Sequence, residues 1–324
     1  MLPLEPKLEV RSRHPKASSR KPPLLFVHGG YCDAWCWEPH FLPWFAARGH
    51  AAHALSLRGH GESGGAEMLW STGLDDYVAD VERVAAQLPQ APVLVGHSMG
   101  AAIVERLMST RPVRAAVLLA PLPPAGLMPV AARLAAERPD YLFQMASFDP
   151  VRLSAEVLAV LEPFYFSPNA DRALLREAAR HLNGESPRAL LDLSLRLHWG
   201  LPERESPPVL VLGAEGDRVC RPDDVHATAR HHGVEATVFP GLAHMLMLEP
   251  GWDAVAKAIA IAWDDAGPDR AASAAVVSAL ASSAPGSAAN VQPTVPKPSS
   301  DIATAAVTMF ENRMSGTPCA VLSD

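Results

Sequence analysis

Cysteine is scarce in this chain: Cys32, Cys36, Cys220 and Cys319 are the four in 324 residues. So few exclude a disulfide scaffold, and no pair of CxxC motifs is present to hold zinc. Free or buried thiols fit a reducing compartment, so the cytoplasm is the expected location. No uncharged apolar run reaches the roughly 18 residues that a membrane helix needs. The start, Met1-Leu2-Pro3-Leu4-Glu5-Pro6, lacks the basic and apolar regions of a signal peptide. Dense basic clusters are also missing, and the formal net charge is −7, which gives no footing for nucleic acid. The stretch Arg11 to Lys21 is basic but short and rich in Ser and Pro, and reads as a solvated segment. There is no Gly-rich phosphate cradle of the P-loop or dinucleotide type. Neither metal nor cofactor is therefore expected, and internal repeats are absent.

What is present is a core. Hydrophobic residues make up 48% of the chain, which excludes general disorder. Short apolar runs alternate with helical patterns. Strands are expected at Leu24 to Val27, Ala51 to Leu57, Pro92 to Val95, Ala115 to Ala120, Val209 to Leu212 and Thr237 to Phe239. Helices are expected at Glu38 to Arg48, Leu74 to Leu88, Ala101 to Thr110, Val225 to His232 and Trp252 to Trp263. Strand–helix alternation with continuous apolar strands is the pattern of a mostly parallel α/β sheet flanked by helices.

Two stretches break that rhythm. From Leu122 to about Ser206 the patterns are helical with no convincing strand, so residues 122–206 read as an all-helical cap inserted between two parts of the core, 22–121 and 207–266. Residues 267–324 are dominated by Ala, Ser and Pro, with Phe310 the one aromatic, and read as a low-complexity, mostly disordered tail. In the N-terminal segment, 1–21, Lys7 to Arg11 is the part that looks like a strand.

The sharpest chemical signal is Gly96-His97-Ser98-Met99-Gly100, between a strand and a helix. A GxSxG match arises by chance about 0.1 times in a chain this long, with Gly and Ser each near 7%. The strand–turn–helix setting is what a nucleophile elbow requires. A sharp turn lifts the Ser98 hydroxyl clear of the sheet, and the glycines remove side chains that would collide. A serine is a weak nucleophile until a base takes its proton. In the order Ser, acid, His, the acid is Asp217, in a loop past the strand Val209 to Leu212, with Glu215 and Asp223 as neighbouring carboxylates. The base is His244, in a loop past the strand that ends at Phe239. His226, His231 and His232 lie on or beside a helix and read as a solvated face.

Negative charge on the attacked group needs preplaced N–H donors. Met99 supplies one. The second comes from the loop His28-Gly29-Gly30-Tyr31, with Gly30 the choice and Tyr31 the alternative. His28, Gly29, Tyr31, Trp35 and His97 are candidate substrate contacts, with His97 packed beneath the nucleophile. In the cap, Phe143, Met145 and Phe148 are candidates too, among crowded apolar residues that include Phe164, Tyr165 and Phe166. Cys32 and Cys36, four apart, have the spacing of one helical face; packing is the simpler reading of them.

Taken together, His28-Gly29-Gly30, Arg58-Gly59-His60-Gly61-Glu62-Ser63, the Ser98 pentapeptide, Gly216-Asp217 and His244 resemble the α/β-hydrolase superfamily, in its serine-nucleophile esterase and lipase branch. The resemblance covers about Pro22 to Trp263. It implies the fold, the Ser98–Asp217–His244 triad and a pocket under a helical cap. Gly30 to Trp37 is also similar to a loop of plant-type and bacterial esterases and hydroxynitrile lyases. The expected function is a serine hydrolase acting on a small-molecule carboxylic ester or thioester with an apolar part. Superfolds host many reactions. The alternatives are a lyase, a C–C bond hydrolase, an acyltransferase or a cofactor-free haloperoxidase on the same fold, and a non-catalytic ligand-binding protein.

Overall fold

The computed structural model describes residues 5–146, 148–150, 154–195 and 207–264. The strands are Val10–Arg13 (β1), Leu24–Val27 (β2), Ala52–Leu55 (β3), Val93–His97 (β4), Ala115–Leu119 (β5), Val209–Ala214 (β6) and Ala236–Phe239 (β7). They form one sheet in the order β1-β3-β2-β4-β5-β6-β7. Only β1 is antiparallel to its neighbour; every other pair is parallel. Every residue of β2, β3, β4 and β5 is buried. Strands covered on both faces need apolar side chains at every position, which is why they appear in the sequence as continuous runs.

The core helices are Phe41–Ala47 (α1), Leu74–Gln87 (α2) and Met99–Thr110 (α3). Between β5 and β6 lie Leu127–Glu137 (α4), Pro139–Ala146 (α5), Ala155–Tyr165 (α6), Arg172–Arg180 (α7) and Pro187–Ser194 (α8). Pro222–His231 (α9) and Trp252–Asp264 (α10) complete the set. Among the described residues no strand interrupts the stretch between β5 and β6, as its helical periodicity predicts. Helix α2 is closed at its start by Asp76, whose carboxylate accepts the Gly73 N–H at 2.8 Å. Aromatic rings fill the space beside β2: Phe26 lies 5.0 Å from Trp37 and 5.6 Å from Phe45, centroid to centroid.

Several boundaries depart from the sequence reading. The N-terminal strand sits at Val10–Arg13, not Lys7 to Arg11, and joins the sheet edge against β3. Helix α3 starts at Met99, because the turn at Ser98 feeds directly into it. Helix α9 starts at Pro222, a residue well suited to a first helical position. His232, read as solvated, has a buried side chain whose Nε2 meets Glu105 Oε1 at 2.8 Å. Cys36 falls in a short 3-10 helix, Ala34–Trp37, and Cys32 precedes it, so the two do not share a helical face. The tail expected at 267–324, like Cys319 within it, lies outside the described residues.

Candidate active site

Ser98 joins β4 to α3 with φ 53° and ψ −116°, a positive-φ conformation outside the left-handed helical well that costs a non-glycine residue about 1–3 kcal/mol. Its surroundings hold it there. Ser98 N–H donates to Leu119 O at 2.9 Å, and Ala101 N–H donates to Ser98 O at 3.0 Å. The flanking glycines are required by space: a Cβ on Gly96 would meet Gly100 C at 2.6 Å, and one on Gly100 would meet His28 O at 2.5 Å. Gly29 is packed as tightly, since a Cβ there would lie 2.8 Å from His97 Nδ1. These close approaches bring the loop after β2 against the elbow.

Asp217 and His244 come from the loops after β6 and β7. His244 Nδ1 lies 2.7 Å from Asp217 Oδ2, with both residues buried. The other Asp217 oxygen accepts the N–H groups of Val219 at 2.8 Å and Cys220 at 2.9 Å. A carboxylate with both oxygens engaged has one orientation available, and it faces the imidazole. His97 Nε2 lies 2.9 Å from His244 O. A carbonyl can only accept, so His97 carries its proton on Nε2 and ties the elbow to the loop of His244. Burial, and then the neighbouring His244, pushes the His97 pKa well below its usual value. Of the competing carboxylates, Glu215 and Asp223 are both exposed.

The loop after β2 is fixed peptide by peptide. Gly29 O accepts from His28 Nδ1 at 2.8 Å and from Cys32 N–H at 3.4 Å. The Gly30 N–H, trans to that carbonyl, therefore points the opposite way. Tyr31 has φ 64°. Its N–H donates to Glu185 Oε2 at 3.2 Å, so this amide is already engaged and Gly30 is the donor left in the loop.

Ser98, His97, Met99, His244, Gly29, Gly30 and Tyr31 line one cavity of about 280 Å³. A second cavity of about 520 Å³ adjoins it and shares Gly30, Tyr31, Cys32, Met145, Tyr165 and Met245 with it. Met145 lines both cavities and Phe148 the larger one, with Phe148 edge-on to Tyr31 at 5.2 Å. Trp35 borders the larger cavity, stacked on His181 at 4.5 Å. Two candidates are placed elsewhere. Phe143 is 51% exposed on the outward side of α5. His28 lines neither cavity: it is fully buried, and its two ring nitrogens are used by Gly29 O and by Leu57 N–H at 3.0 Å. Phe164 is buried within the helical insertion, stacked on Tyr141 at 4.0 Å.

Tyr165, one of the crowded apolar residues of the cap in the sequence, reaches the site, and two further residues there, Cys220 and Glu185, had no signal in the sequence. Tyr165 lies 5.7 Å from His244, ring to ring, and its hydroxyl meets Tyr141 OH at 2.7 Å. Cys220 is buried beside Asp217; burial and the nearby carboxylates push its thiol pKa well up, while a hydrogen bond with Ser98 opposes that. Glu185, between α7 and α8, is fully buried against Tyr31.

A family model described as the alpha/beta hydrolase family matches residues 24–258. The chain belongs to that family. Solved structures share this α/β-hydrolase architecture. An esterase from Exiguobacterium antarcticum aligns with TM-score 0.64 and 17% identity, over 80% of this chain and 96% of its own. The epoxide hydrolase VrEH1 from Vigna radiata aligns with TM-score 0.60 and 19% identity, over 79% and 93%. At such identities the likeness is one of fold, and the two names cover different bonds. Mouse protein phosphatase methylesterase 1 is 35% identical over 91 residues, which are 27% of this α/β hydrolase. This chain spans 24% of the length of that relative.

Proposed function

We propose that this α/β hydrolase is a serine esterase that cleaves a carboxylic ester or thioester through an acyl-enzyme on Ser98. The observation that carries this reading is the buried 2.7 Å contact of His244 Nδ1 with Asp217, at the cavity that Ser98 lines. With Nδ1–H donated to Asp217, His244 presents a bare Nε2 as the base.

Ser98 Oγ attacks the carbonyl carbon while its proton passes to His244 Nε2. The carbonyl oxygen becomes an oxyanion, met by the N–H groups of Met99 and Gly30. Met99 is the first residue of α3, where backbone N–H groups have no partner within the helix. The tetrahedral species collapses, the C–O or C–S bond breaks, and the leaving alcohol or thiol takes the proton from His244. Water then repeats the sequence: His244 accepts its proton, hydroxide adds to the acyl carbon, and Ser98 leaves with the proton returned. The imidazolium formed in each half is stabilised by Asp217.

Helices α4 to α8 act as the cap. Met145, Phe148, Leu158, Leu161, Tyr165 and Leu248 give the larger cavity an apolar wall, which suits an ester with one apolar limb. The test is turnover of neutral ester, thioester and cyanohydrin substrates by wild type and Ser98→Ala. Ester or thioester cleavage that disappears in the variant supports the reading. Cyanohydrin cleavage without ester cleavage, or turnover that survives the substitution, refutes it.

A further inference from the structure

Tyr31 is one of three described non-glycine residues with a positive φ; Ser98 and Ala120 are the others. A tyrosine in the left-handed region costs about 1–2 kcal/mol and persists where its surroundings over-determine it. Both of its backbone groups are held from the helical insertion. Its N–H donates to Glu185 Oε2 at 3.2 Å, and its carbonyl accepts the Asn183 N–H at 2.8 Å. The same segment holds the rest of the loop: Asn183 Nδ2 donates to Cys32 O at 3.3 Å, and His181 Nδ1 meets Asp33 Oδ2 at 3.0 Å.

Glu185 is itself held. Its side chain is 0% exposed, as is that of His60. Oε1 accepts Tyr77 OH at 2.7 Å and Ser186 N–H at 2.7 Å, while Oε2 accepts His60 Nε2 at 3.2 Å as well as the Tyr31 amide. His60 Nδ1 lies 3.0 Å from Arg58 O. A carbonyl and a carboxylate both accept, so both nitrogens of His60 donate and the ring is an imidazolium. Burial works against that charge, but the Glu185 carboxylate and the Arg58 carbonyl outweigh it and raise the His60 pKa. Burial likewise opposes the Glu185 carboxylate, and His60 with the remaining donors outweighs it and lowers the pKa. A buried charge pair adds little net stability, and here it holds a conformation.

What it fixes adjoins the reacting oxygen. A Cβ on Gly30 would lie 3.4 Å from Glu185 Oε2, so the carboxylate packs directly behind the residue that donates to the oxyanion. We infer that Glu185, supplied by the cap and paired with His60, is a positioning residue that holds Tyr31 in its left-handed conformation and thereby aims the Gly30 N–H at the oxyanion. This rests on the serine esterase reading above. Glu185 touches neither substrate nor Ser98. Its effect belongs to the transition state, because the oxyanion forms only there. Cap and catalytic loop are then one unit: displacing the segment from His181 to Ser186 also disarms the donor.

The test compares wild type, Glu185→Gln and Glu185→Leu on a neutral ester, with an alkylboronic acid as the oxyanion mimic. Removing a donor outright costs roughly 10²–10³ in kcat, and a misaimed donor should cost about tenfold to a hundredfold. Glu185→Leu should therefore lower kcat by about that factor, with KM within about threefold. The boronic acid Ki should rise by the same factor as kcat falls. Glu185→Gln, whose amide oxygen can still accept the Tyr31 N–H, should recover most of the loss. In the Ser98→Ala background, adding Glu185→Leu should leave the Kd for the intact ester unchanged. If Glu185→Leu does not fold, boronate binding by Glu185→Gln decides, expected about threefold to tenfold weaker with ester Kd unchanged. Unchanged kcat and boronate affinity in a folded variant, or a rise in KM alone, overturns the inference while Ser98→Ala stays inactive. Turnover by Ser98→Ala overturns the esterase reading itself, and the inference with it.

Discussion

Asp217 and His244 meet at 2.7 Å with both side chains buried, and the second Asp217 oxygen is taken by two backbone N–H groups. That arrangement leaves the imidazole one tautomer and one orientation. His244→Ala should reduce kcat by several orders of magnitude, and Asp217→Asn by about 10⁴, because an amide can favour the wrong tautomer. Residues that act as a unit are not additive, so the double variant should be little worse than His244→Ala alone. Single-turnover and steady-state rates of the three variants check this. If the two losses multiply, Asp217 is not the partner of His244.

A contrast between two glycines separates crowding from backbone strain. Gly96→Ala places a Cβ 2.6 Å from Gly100 C and 2.7 Å from Ala101 Cα, both backbone atoms that cannot yield. Gly233→Ala meets nothing within 4 Å but carries φ 67°. The second should cost about 1–2 kcal/mol through the left-handed backbone alone. The first should cost more than that, by displacing the elbow, and should abolish turnover. Thermal melts and activity of the two variants decide; equal stability losses would mean the elbow relaxes freely.

The His60–Glu185 pair should show in the pH dependence of stability. The His60 pKa is raised from 6.5, so its contribution is complete below 6.5 and fades as pH rises through the folded value. That of Glu185 is lowered from 4.5, so its contribution is complete above 4.5 and fades as pH falls through the folded value. Both are present together between those two limits. Around the pair, His28 is pushed down to about 4 by burial and by His60, and stays neutral through that window. Tyr77 is pushed up by burial and by Glu185 and stays neutral as well. Asp33 adds a further favourable charge for His60. The difference in Tm between wild type and Glu185→Gln should therefore be widest between 4.5 and 6.5 and shrink on both sides. A difference that is flat with pH would mean that His60 and Glu185 are not ionised as a pair.

Substrate length offers a check on the larger cavity. Each methylene buried there contributes roughly 0.8 kcal/mol, or about fourfold in kcat/KM. Across p-nitrophenyl esters from acetate to dodecanoate, kcat/KM should climb and then break where the cavity is full. Leu158→Trp, on the wall of the larger cavity, should move that break to shorter chains while leaving the acetate rate near wild type. A flat profile, or preference for a charged acyl group, refutes the apolar limb.

Where the fold was legible in the sequence, the reason is local. Strands β2 to β5 are buried on both faces and so stand out as apolar runs. Ser98, Asp217 and His244 each sit beyond the end of a parallel strand, β4, β6 and β7 in turn, a position that order along the chain reveals. The strand β1 is an edge of four residues, none of them buried, so little hydrophobic pattern marks it. Phe143 and Met145 lie two apart on α5, and periodicity does not say which of the two turns inward; Phe143 is the one left exposed. Glu185 is 154 positions from the Tyr31 amide it accepts, in a turn between two helices, and nothing nearby in sequence marks a carboxylate that will be buried.

The most direct measurement is covalent labelling with a fluorophosphonate, read by peptide mass spectrometry alongside ester turnover. One adduct should form, on Ser98, with loss of activity in proportion to labelling. Ser98→Ala should take no label and hydrolyse no ester while melting as wild type does, and His244→Ala should label far more slowly. An adduct on a different serine, or a Ser98→Ala protein that turns over ester at the wild-type rate, would contradict the assignment of Ser98 as nucleophile.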